Sequence, residues 1–162
     1  MSASGHQGGW TITASFVIAL MLTVVPLPEW AAAARPQWVA LVLIYWCMAL
    51  PQRVGVGIGF IVGFMQDALL GSLLGQHALA FALLAFLTMK LHQRIRVFPL
   101  WQQALTVLVL LLLTQLILFW INGLVGRSPT SWTYWLAPFT GTVLWPWVFV
   151  LMRELRRNFN VR

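Results

Sequence analysis

The chain has 162 residues, of which 60% are hydrophobic and only 8% charged, with a formal net charge of +7. A water-soluble domain carries about 25% charged residues because its surface must be solvated, so a soluble enzyme, a disordered tail and a disulfide-rich secreted scaffold are excluded. The cations are scattered over short gaps between apolar runs, which reads as topology-setting loop charge, and nucleic acid is not expected as a partner.

A hydrocarbon core about 30 Å thick takes about 20 helical residues to cross. Six apolar runs qualify, at 10–25, 38–50, 54–70, 77–91, 100–122 and 134–152. They predict an all-α fold: a polytopic membrane protein folded as a compact six-transmembrane-helix bundle, one integral membrane domain over 1–162. No Lys or Arg precedes the first run, so it reads as a retained span rather than a leader cleaved at alanines 31–34. Pro26 and Pro28 end it, and Arg35-Pro36 precedes the second. The turn Leu50-Pro51-Gln52-Arg53 separates the second from the third. The second and fourth runs are short and need neighbours to bury their ends. Pro99 opens the fifth, where its missing N–H has no intrahelical partner, and Pro146 is expected to kink the sixth. Trp10, Trp30, Trp38, Trp101, Trp132 and Trp135 fall at span ends, as an interfacial aromatic belt does.

Six spans put Arg53, Lys90, Arg94, Arg96 and the tail arginines 153, 156, 157 and 162 on one side, leaving Arg35 and Arg127 on the other. The positive-inside rule then makes both termini cytoplasmic. The tail Arg153-Glu154-Leu155-Arg156-Arg157 reads as a basic anchor that could also meet anionic membrane lipids or a cytoplasmic partner.

Asp67 is the one acid expected within a span, and an ionisable residue at membrane depth is a functional candidate. It belongs to a series at four-residue spacing: Gly55, Gly59, Gly63, Asp67, Gly71 and Gly75. Such a stripe lets another helix approach closely. It either packs the third span within its own bundle or receives a partner or ligand. Counting about 1.5 Å per residue, Asp67 lies in the outer third of the bilayer. The same count brings Thr23, Tyr45, Thr114, Gln115, Thr140 and Thr142 to that depth, which predicts an outer polar layer: a filled network or the floor of a pocket. Catalysis is not expected, because no Ser or Cys shares a depth with His and an acid. His6, His77 and His92 are split between the two sides and cannot hold one metal, so no cofactor is expected. Each reads as a surface or cap residue.

Several segments together resemble the rod shape-determining protein MreD family, in its proteobacterial form. They are Arg35-Pro36-Gln37-Trp38-Val39, Tyr45-Trp46, Leu50-Pro51-Gln52-Arg53-Val54-Gly55-Val56-Gly57, and Gly63-Phe64-Met65-Gln66-Asp67 with Gly71-Ser72 and Leu74-Gly75. Leu100-Trp101-Gln102-Gln103-Ala104-Leu105, Leu144-Trp145-Pro146-Trp147 and Leu151-Met152-Arg153 extend the likeness over most of the chain, and it is weakest over 122–138. The resemblance implies a non-enzymatic inner-membrane subunit of the bacterial elongation complex. It would bind MreC directly and work with MreB, RodZ, RodA and penicillin-binding protein 2 in peptidoglycan synthesis and rod shape. It also implies a fold similar to the substrate-binding subunits (S-components) of energy-coupling-factor vitamin transporters. The second functional reading is therefore a small-molecule or lipid-binding membrane carrier of that type. Those subunits dock their transport module on a small-residue face of the first span, where this chain offers only Ser15 to Ala19.

Overall fold

The computed structural model describes residues 3–26, 28, 35–51, 54–71, 74–126 and 135–158. Glu29, Trp30, Arg53, Ser72, Arg127, Trp132, Tyr134 and Arg162 lie outside them. The described residues form helices only: α1 (Ala3–Val24), α2 (Trp38–Ala49), α3 (Val56–Leu70), α4 (Gln76–Val97), α5 (Leu100–Val125) and α6 (Leu136–Asn158). Each apolar run of the sequence corresponds to one helix. Three helices run well past the expected bounds: α1 begins at Ala3 rather than at Trp10, α6 continues to Asn158, and α4 continues to Val97 and carries Arg94 and Arg96 in its last turn. Cations are favourable there, against the carbonyl end of the helix dipole.

α2 organises the packing. Its 12 residues are apolar on every side, and Val39 through Ala49 are all buried. A helix without a polar face belongs in a protein core or in lipid, and burial shows that α2 takes the first. Here α1, α4, α5 and α6 all touch it. At about 1.5 Å per residue it is about 18 Å long, well short of a bilayer core, and its neighbours close over both ends. Trp46 and Trp145 are wholly buried in this core with Leu41, Ile44, Phe81 and Leu111. The Trp46 indole N–H donates to Ser15 Oγ at 2.8 Å and ties α2 to α1.

The outer surface is equally apolar: Ile18, Met21, Phe60, Ile61, Leu79, Val109 and Val143 are all exposed. α4, α5 and α6 are each long and apolar enough to cross a membrane, and the shorter apolar helices are Gly9–Val24, α2 and α3. Of the expected tryptophan belt, Trp101 is exposed at the start of α5 and Trp10 is exposed but lies about two turns inside α1, while Trp38 and Trp135 are half-buried. Pro146 lies inside α6.

Chain reversals rest on backbone that glycine supplies. Gly71 (φ 68°) closes α3 and Gly75 (φ 101°) opens α4, both left-handed. This conformation is costly for residues with a Cβ. The short reversal lays α4 antiparallel to α3.

Candidate functional site

The glycine series is not one continuous face. Gly55, Gly59 and Gly63 turn toward α4. A Cβ on Gly63 would stand 2.4 Å from the His77 carbonyl oxygen, and one on Gly59 would stand 2.7 Å from that of Phe81. These are backbone atoms that cannot move aside. A Cβ on Gly55 would meet Met89 Sδ at 3.0 Å. The expectation that Gly71 continues the stripe is corrected: Gly71 stands beyond the end of α3, no heavy atom would meet its Cβ within 4 Å, and its role is conformational.

Asp67, one turn before the end of α3, is wholly buried. Its Oδ2 accepts the backbone N–H of Gly75 at 2.9 Å and of His77 at 3.0 Å, and Oδ1 also accepts the His77 N–H at 3.0 Å. The Ala78 N–H approaches Oδ2 at 3.4 Å. The His77 ring Nδ1 stands 2.7 Å from Oδ1. The first N–H groups of any helix lack intrahelical partners, and the dipole favours an anion beside them. Asp67 thus caps α4 from a neighbouring helix, and no side chain at the N-cap residue Gly75 does so. His77, expected to be a surface or cap residue, is the side chain paired with Asp67. The sequence held a signal for this: Asp67 one turn before a short reversal and His77 one turn after it are adjacent in an antiparallel pair.

The expected outer polar layer is also corrected. The hydroxyls of Thr23, Thr114, Thr140 and Thr142 donate to carbonyls four residues earlier in their own helices, at 2.8, 3.0, 3.1 and 2.8 Å. A threonine can satisfy its hydroxyl locally in this way, so equal depth does not oblige these groups to meet. Gln115 Oε1 accepts from the Gln37 amide, joining α5 to the start of α2. Tyr45 belongs to the other end of the molecule. It shares a cavity of about 280 Å³ with Arg96, Gln103, Phe149, Arg153 and Arg156, whereas Asp67 sits at the opposite end of α4 from Arg96. The depth count misplaced Tyr45 because α2 is so short that its fifth residue from the C-terminus is already near the basic end.

Two further arginines meet helix C-termini. Arg96 Nε donates to the Met48 carbonyl at 2.8 Å and its terminal nitrogen to that of Ala49 at 2.6 Å, closing α2. Arg35 donates to the carbonyls of Thr23 and Val25 at the end of α1. Asp67, Arg35 and Arg96 therefore each complement a helix terminus. Arg153 stacks over the Phe149 ring, 5.8 Å from its centroid. Arg157 is exposed. Among the described residues no cluster of His, Cys, Asp or Glu could hold a metal ion. Ser15 and Ala19 are buried.

Comparison with known proteins places these features in context. A family model described as rod shape-determining protein MreD matches residues 4–155. The curated rod shape-determining protein MreD of Haemophilus influenzae is 36% identical over 152 residues, which is 94% of each chain. No solved structure matches the chain.

Proposed function

The chain belongs to the rod shape-determining protein MreD family, a membrane family of cell-shape proteins, and from that membership we propose that it is a non-enzymatic scaffold of the bacterial inner membrane. In this reading it binds MreC directly and helps position peptidoglycan synthases in the elongation complex, alongside MreB, RodZ, RodA and penicillin-binding protein 2. The family match along nearly the whole chain carries the proposal. The geometry adds support. Asp67 is engaged by the start of α4, and the glycine face is filled by the same helix, so both have structural work inside the bundle. A partner helix would dock on another face.

The chain is proposed to cross the membrane six times with both termini cytoplasmic, as one embedded unit with a fold similar to S-components. Arg96 lines one cavity with Arg153 and Arg156 of α6, so the two basic clusters share one end of the bundle, as an even number of crossings between them requires.

Depletion in growing rods tests the function. Rounding and lysis are expected, with rescue by the intact chain and co-purification of MreC with it. Normal rods with a nutrient auxotrophy would instead support the carrier reading.

A further inference from the structure

We propose that the cavity between the C-terminal ends of α2, α4 and α6 and the start of α5 is a binding site for a phosphate group, supplied by the headgroup of an anionic phospholipid. Arg96, Arg153 and Arg156 line it, and no carboxylate does. Like charges gathered in a concavity with apolar walls repel one another and focus a positive potential, which an anion relieves. The guanidinium fork matches the oxygens of a phosphate. Arg96 is held in place before any ligand arrives, and the other two arginines stand beside aromatic rings of the same cavity. Arg96 is fixed by the carbonyls of Met48 and Ala49, Arg153 lies over the Phe149 ring, and Arg156 lines the cavity with Tyr45.

Gln103 adds a polar side chain to the wall of this cavity. It is 4% exposed and lines the same cavity. Its Nε2 donates to the Ile95 carbonyl at 3.0 Å and approaches that of Phe98 at 3.5 Å, which fixes the orientation of the amide. Its Oε1 is then buried with no hydrogen-bond partner. A headgroup that presents an anionic phosphate satisfies the arginines. Basic pockets between membrane helices bind anionic headgroups by this chemistry. Free phosphate offers the anionic part alone. The inference does not depend on the scaffold reading, and either can fail without the other.

The test uses the full chain purified in a neutral detergent. It is titrated with short-chain phosphatidylglycerol, short-chain phosphatidylcholine and inorganic phosphate, with occupancy read by native mass spectrometry. Phosphatidylglycerol is expected to bind more tightly than phosphatidylcholine. Arg153→Gln and Arg156→Gln should each weaken it about tenfold, the loss expected for one charge-assisted hydrogen bond. Arg153→Lys, which keeps the charge, should bind more tightly than Arg153→Gln and so separates lost charge from lost fold. Arg157→Gln should stay within about twofold of the parent chain, as a residue outside the cavity. Inorganic phosphate that binds where phosphatidylglycerol does not would keep the phosphate site but assign it to the free ion. Equal binding of both lipids, or phosphatidylglycerol binding unaffected by the Arg153→Gln and Arg156→Gln changes, would overturn the proposal. So would no binding of any probe.

Discussion

At the scale of single residues, Asp67 decides how two helices are joined. Three backbone N–H groups and the His77 ring converge on its carboxylate from the start of α4. The backbone N–H groups all call for an acceptor, so asparagine is not a mild replacement: its amide nitrogen would face N–H donors. Asp67→Asn is expected to cost about 1–2 kcal/mol, near the upper range for a lost cap. Asp67→Leu leaves the donors of Gly75 and His77 buried and unmatched, and should cost more, about 2–4 kcal/mol, at about 1–3 kcal/mol for each orphaned group. His77→Ala removes the ring but leaves its backbone N–H on Asp67, and should be the mildest of the three. Thermal unfolding in detergent orders them. A His77→Ala variant weaker than Asp67→Leu would show that the ring, not the helix cap, is what Asp67 serves.

At the scale of elements, the closest pair is α3 with α4, and its spacing is set by backbone against backbone. Gly63 and Gly57 lie on the same helix in opposite situations. Gly63→Ala drives a methyl into the His77 carbonyl and Ala78 Cα and should destabilise by about 1–3 kcal/mol, as overpacking does. No heavy atom lies within 4 Å of a Cβ at Gly57. Gly57→Ala should therefore be neutral or stabilising by up to about 1 kcal/mol, the helix-propensity difference. Equal effects of the two substitutions on unfolding would mean that α3 and α4 are not in this register. The spacing of the glycines in the sequence showed that a close approach was available on α3. It did not show which helix would use it, because α4, a second helix of the bundle or a partner could each have filled the face.

At the scale of the whole molecule, the polar groups collect at two ends. Arg96, Gln103, Arg153 and Arg156 occupy one, and Asp67 with His77 occupies the other. The orientation proposed above puts the arginine end in the cytoplasm. Gln93→Cys and Glu154→Cys should then resist an impermeant thiol reagent added to intact spheroplasts, while Leu74→Cys should react. Cys47 is buried and gives little background. Labelling at position 93 from outside would reverse the orientation.

Composition alone placed this chain in a membrane, because 8% charge cannot clothe a soluble surface. The apolar runs and the prolines and glycines between them located each helix closely, since helix formation and chain reversal are local properties. The extensions of α4 past Leu91 and of α6 past Met152 were missed because their basic turns read as loop when charge alone is considered, and the start of α1 at Ala3 was missed because the residues before Trp10 are not apolar. Contacts between helices were a different matter. Thr23, Thr114, Thr140 and Thr142 had the right depth for a shared network, yet each found an acceptor within its own helix. Tyr45 went to the arginines because α2 is short and wholly enclosed. Asp67 found its partners across a reversal of a few residues, and Gln103 became a cavity residue only where four helix ends converge. Such pairings depend on the register and rotation of one helix against another, and packing of the assembled bundle sets both.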